Sequence, residues 1–195
     1  MHEVRVPGAL REAFGERQSR ADLALILGGG LALAAVICVL GSAQLIAVDW
    51  WRAVIAVVLL ADICCGCIAN FTHGTDRYYA DRSKLRWIFI AVHLHLPIIA
   101  LALGAAIPFA LAVWAATIAG ASVVNLLHGS RLQPPVGGLL LAATLTGIVV
   151  TVANGTVPVF IAVAAALFTL KVLYAFGVTH FRRADAPAET SAVVS

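Results

Sequence analysis

Long apolar runs separated by short polar breaks occupy most of the chain. Six runs are long enough to cross a bilayer, at residues 23–47, 53–71, 87–104, 107–127, 136–153 and 157–178. A membrane helix needs about 20 mainly apolar residues. The third and fourth runs join with no charge between them, yet residues 87–127 are too many for one crossing at about 1.5 Å per residue. "LGAAIP", ending at Pro108, supplies the glycine and proline of a tight turn. The pattern predicts an all-α integral membrane protein, a bundle of six transmembrane helices. Residues 1–21 would form an arm before it, 22–180 the bundle, and 181–195 a flexible tail.

Composition agrees with the pattern. Of 195 residues, 62% are hydrophobic and 12% charged, too little charge to cover a water-soluble domain of this size. The positions of the cations then set an orientation. Arg5, Arg11, Arg17, Arg20, Arg77, Arg82, Lys84, Arg86, Arg131, Arg182 and Arg183 fall on one side of the predicted bundle, and Arg52 alone on the other. Basic loops stay in the cytoplasm, so both termini are expected inside, in the cell's inner or plasma membrane. The first 21 residues contain no apolar core of a cleavable signal. Val6, Leu10 and Phe14 recur at i, i+4 and i+8, as in a short amphipathic helix on the membrane surface; a solvated arm is the alternative. The expected partners are the lipid bilayer, a lipid-like or small-molecule substrate and a further copy of the chain, with no nucleic acid.

Two conspicuous motifs have plain explanations. "CCGC" (Cys64, Cys65, Gly66, Cys67) lies inside the second apolar run, where nothing stabilises a thiolate, and no second cysteine pair completes a zinc site. The triple glycine at Gly28–Gly30 follows no strand, so close helix approach explains it better than phosphate binding.

The remaining polar groups are the informative ones. Asp62, His93, His95 and Lys171 lie within apolar runs, and Asn70, His73, Asp76, Asn125 and His128 near their ends. Ionisable groups at membrane depth are expensive and usually face the bundle interior. If the second helix continued past Asn70, Asp62, His73 and Asp76 would share one face. His93 and His95 are about 200° apart on a continuous helix, so only one could face that interior. Pro97 would free the carbonyl of residue 93, which favours His93.

The expected site therefore has Asp62, His73, Asp76, Asn70 and Lys171 as acid–base and polar groups. His73, His93, His128 and Asp62 are expected as ligands of a divalent metal such as zinc or iron. Three functions follow: a metal-dependent or acid–base membrane enzyme open to the cytoplasm, a proton-coupled small-solute transporter or channel, and a haem protein using His93 and a facing histidine. The structural alternative is that Asp62 and Lys171 form an ion pair and the histidines serve only as interfacial or packing groups.

Overall fold

The computed structural model describes residues 3–8, 11–155 and 157–181. The tail, with Arg182 and Arg183, and Leu10 of the expected amphipathic face lie outside the described residues. Within them the chain is helical apart from a two-stranded hairpin at the start. The hairpin pairs β1 (Glu3–Arg5) antiparallel with β2 (Arg17–Ser19), Val4 opposite Gln18, and encloses a single helical turn, α1 (Arg11–Phe14). This corrects the expected surface helix: Val6 is buried and bonds to Glu16 rather than continuing a face with Phe14.

Five helices are long and apolar enough to cross a membrane: α2 (Arg20–Leu40), α4 (Trp50–Ala69), a broken helix (Ser83–Leu103), α8 (Ile107–Leu126) and α9 (Gln133–Ala153). The chain is thus a multi-pass membrane protein. A shorter apolar helix, α10 (Val159–Ala175), completes the set. The short α3 (Ser42–Ile46) and α5 (His73–Ala80) lie outside the long helices. Gly41 follows the last residue of the first long helix, and any side chain there would run into Phe160.

The shorter helix, α10, is the central one. α10 buries Phe160, Ile161, Ala164, Ala165, Phe168 and Val172, and packs against α2, α4, the second half of the broken helix, α8 and α9. Outer helices show their apolar side outward, with Val36 and Val39 on α2 and Leu139, Val149 and Val150 on α9 all exposed. That is how side chains facing lipid should be arranged. The turn "LGAAIP" is as tight as its residues suggest: Gly104 ends a helix at φ 61°, Ala106 follows at φ 49°, and Pro108 sits in the first turn of α8.

The third long helix is broken rather than kinked. α6 (Ser83–Val92) ends at His93, and α7 (His95–Leu103) restarts two residues later. Pro97 falls in the first turn of α7, where its missing amide costs no hydrogen bond. The two halves then diverge: α7 packs against α4, whereas α6 leans on α8 and α5. The gap left between α4 and α6 is the cavity described below.

Candidate functional site

A cavity of about 210 Å³ is lined by Asp62, Cys65, Gly66, Ala69 and Asn70 from the second long helix and its end, and by Leu85, Ile88, Phe89, Val92, His93 and His95 around the break. Lys171 forms its floor, and Glu12, Ala13 and Phe14 of the arm close one end. Its walls are mainly apolar, with the polar groups gathered at Asp62.

Asp62 holds the cluster together. Its Oδ2 accepts from Lys171 Nζ at 2.5 Å and lies 2.9 Å from His95 Nε2. The lysine side chain is 4% exposed and the carboxylate 49%, so the cation is buried behind an anion that faces open space. Lys171 reaches this position because residue 66 is glycine; a β-carbon there would overlap its Cε. The lysine sits in a π-helical turn, Leu170–Ala175, a local widening often found at functional positions. The carbonyl of Lys171 accepts from Phe176 N at 3.0 Å and from Asn70 Nδ2 at 3.2 Å, so the irregular turn leaves it satisfied.

The break brings both histidines into one region. Their ring centroids are 5.0 Å apart and tilted 33°, which a continuous helix would forbid. His95, not His93, contacts Asp62, whereas in the sequence the position of Pro97 favours His93. The freed carbonyl of His93 is not open to a ligand either, because Trp114 Nε1 donates to it at 2.9 Å. His93 is buried, with its Nδ1 bonded to the carbonyl of Phe89. His95 Nδ1 is buried without a hydrogen-bond partner among the described residues. Beyond His93 an aromatic column leads away: Phe89 stacks on Phe176 at 3.6 Å, and Tyr79 meets both edge-on.

The other expected site residues lie elsewhere. The second long helix stops at Ala69, and α5 begins a new direction at His73. His73 is therefore exposed, its ring edge-on to Phe181 at 5.1 Å. Asp76 accepts the backbone amides of His180 and Phe181 at 3.2 and 3.3 Å, tying down the chain after α10. His128 lies between Arg86 Nη1 at 3.1 Å and Thr179 Oγ1 at 3.4 Å; burial and the neighbouring guanidinium hold its imidazole below the usual range. The expected metal set of His73, His93, His128 and Asp62 is thus dispersed. Among the described residues no three His, Cys, Asp or Glu side chains are grouped to hold an ion. The two deep histidines, His93 and His95, are neighbours on one segment. The four cysteines are free thiols; Cys67 Sγ donates to the Leu167 carbonyl at 3.1 Å, and Cys65 packs against Gly30.

The arm is the part of the site that sequence reasoning missed. Gln18 is buried and donates to Thr72 Oγ1 at 2.6 Å, Tyr79 OH donates to the Glu12 carbonyl at 2.7 Å, and Arg82 pairs with Glu16 at 2.7 Å. Gly15, at φ 73°, crosses so close to the Gly74 carbonyl that no other residue fits there. Burial pushes the Tyr79 phenol up, and Arg82 holds the Glu16 carboxyl below its usual range. The arm is therefore a docked wall. No family model matches the chain, and no curated protein or solved structure does so.

Proposed function

We propose that this protein is an acid–base membrane enzyme acting on a lipid-like substrate, with a bundle of six transmembrane helices and both termini in the cytoplasm. The observation that carries the reading is the His95–Asp62–Lys171 cluster at the polar end of an otherwise apolar cavity. Asp62, held between His95 and Lys171 and half open to the cavity, is the group placed to take and return a proton, as general acid–base chemistry requires. Lys171 supplies a cation for negative charge that develops on a substrate. Support for the substrate class comes from the walls. The docked arm closes the end nearest α5, while Ile88 and Val92, both cavity residues, are more than half exposed on the outer side. A ligand would therefore come in sideways from the bilayer. The cavity is smaller than the roughly 300–1,000 Å³ of most ligand sites, so it would hold a headgroup and the first part of a chain.

The six-span topology is supported by the central position of α10. At 17 residues, about 26 Å at 1.5 Å per residue, it reaches the lower limit for a crossing. The inside location of the termini rests on the division of arginine and lysine already described.

Lipid analysis of cells expressing the wild type or Asp62→Asn at equal levels tests the enzymatic reading. One lipid class should accumulate and another fall only with the wild type. Identical lipid profiles, with both proteins folded and inserted, would overturn it. Proton-coupled transport is the second reading, favoured by the break at His93, since discontinuous helices line many transport sites. It requires pH-driven solute uptake in proteoliposomes that Asp62→Asn uncouples.

A further inference from the structure

The chain has thirteen basic residues, and only Lys84 and Lys171 are lysines. Every other position that carries a fixed positive charge uses arginine. Arginine is also the usual choice for a buried ion pair, because it stays charged and offers a planar fork to a carboxylate. A lysine differs in two ways that matter here: its amine can lose a proton, and it can then act as a nucleophile. Lys84 is exposed on α6. Lys171 is the one lysine directed to a cavity, with a glycine opposite to let it pass.

We infer that Lys171 captures aliphatic aldehydes or ketones as a Schiff base, with Asp62 as the proton carrier and counter-ion. This rests on the cavity being a substrate site, and it names the substrate class. The steps balance without any further reagent. Asp62 takes a proton from the Lys171 ammonium at 2.5 Å, and the neutral amine attacks the carbonyl carbon. A nitrogen–carbon bond forms as the carbonyl π electrons move to oxygen, which gains a proton while the nitrogen loses one. Asp62 then returns its proton to the hydroxyl, the carbon–oxygen bond breaks, water leaves, and the nitrogen lone pair closes the C=N bond. The product is an iminium cation in place of the ammonium, so the net charge beside Asp62 is unchanged. His95, hydrogen-bonded to the same carboxylate oxygen, keeps that oxygen oriented through the proton's passage. The walls formed by Leu85, Ile88 and Val92 suit the aliphatic chain.

The test uses full-length protein in detergent micelles, decanal as the carbonyl probe and cyanoborohydride to reduce the imine to a stable secondary amine. Peptide mass spectrometry then reads the decyl adduct on each lysine. Lys171 should be labelled at least tenfold more than Lys84, although Lys84 is the exposed amine. Excess decanol, which fits the cavity but has no carbonyl, should suppress labelling of Lys171 and leave Lys84 unaffected. Asp62→Asn should reduce the Lys171 adduct about tenfold. Gly66→Ala, which displaces the lysine side chain, should reduce it as well, with thermal unfolding of each variant confirming a folded protein. Equal labelling of the two lysines would mean simple amine chemistry and would overturn the inference. Saturable decanol binding without any Lys171 adduct would overturn the covalent step and leave the cavity reading intact. Absence of both would remove the two together.

Discussion

Two polar clusters join helices in this protein, and they do so to opposite ends. One is Asp62, His95 and Lys171 beside a cavity of about 210 Å³. The other is Asp76, Arg86, His128 and Thr179 around a pocket of about 20 Å³, room for roughly one water, with Asn125 bonded to Arg86. In the second cluster the side chains are used up on backbone and on one another. Arg86 alone reaches the carbonyls of Tyr79 and Ala80, Asn125 Oδ1 and His128, and Asp76 anchors the segment after α10. In the first, half of the Asp62 side chain faces open space. The number of polar groups does not distinguish a site from a fastening. What does is whether their bonding capacity is spent.

The comparison can be broken by removing one member from each cluster. The largest effect is expected for Asp62→Asn, which strands a lysine that is 4% exposed. The loss of stability should be about 3 kcal/mol, the low end for a broken buried pair because Asp62 is half open. Asp62→Asn with Lys171→Met should recover most of that loss in unfolding experiments in detergent, yet still abolish activity. A double variant no more stable than the single one would show that the pair is not the source of the cost.

Arg86→Met should cost about 2 kcal/mol through unpaired carbonyls. It should leave amphiphile binding to the cavity within twofold of wild type, measured with a fluorescent fatty alcohol. A loss of binding equal to that of Asp62→Asn would merge the two clusters into one site.

The fastening cluster should also respond to acid. His128 has a lowered pKa when folded, whereas the unfolded imidazole protonates near pH 6.5. Below about pH 6.5 the unfolded state binds the proton first, so stability falls with falling pH until the folded pKa is passed. Above pH 6.5 this contribution is constant. His128→Gln should flatten that part of the pH–stability curve.

The smallest effect belongs to the arm. Tyr79→Phe removes the bond to the Glu12 carbonyl and should cost about 1 kcal/mol. Faster proteolysis within residues 11–19, at unchanged overall fold, would confirm the arm as a docked wall; unchanged proteolysis would mean that its other contacts suffice.

Much of this was legible in the chain, for physical reasons that differ by region. The long apolar runs mark their helices because lipid demands it, and Pro108 with Gly104 marks the turn before α8. Asp62 and Lys171 stand out as charges amid apolar residues. His95 does not, because spacing arguments assume that a helix is continuous. Pro97 carries the needed signal: a proline tolerated in a first turn indicates a new helix start as readily as a bend. The arm left no periodic trace, since three-residue strands are too short to alternate and its docking depends on Gln18, Gly15 and Tyr79 meeting α5 and its cap. His73 and Asp76 were misplaced by the same assumption of continuity, which the turn at residues 70–72 breaks.

The ion pair joins residues 109 positions apart, and synthesis imposes an order on them. At roughly 5–20 residues per second, α4 leaves the ribosome on the order of 5–20 s before Lys171 exists. Throughout that interval Asp62 lacks its partner Lys171. The central helix is also made after the five long helices, so they must hold a place for it. A chain halted before Val159 lacks the central helix and the cation, and leaves the Asp62 carboxylate with His95 alone. The pairing of α4 with the central helix is therefore a late event, and the charge balance at Asp62 marks whether it has occurred.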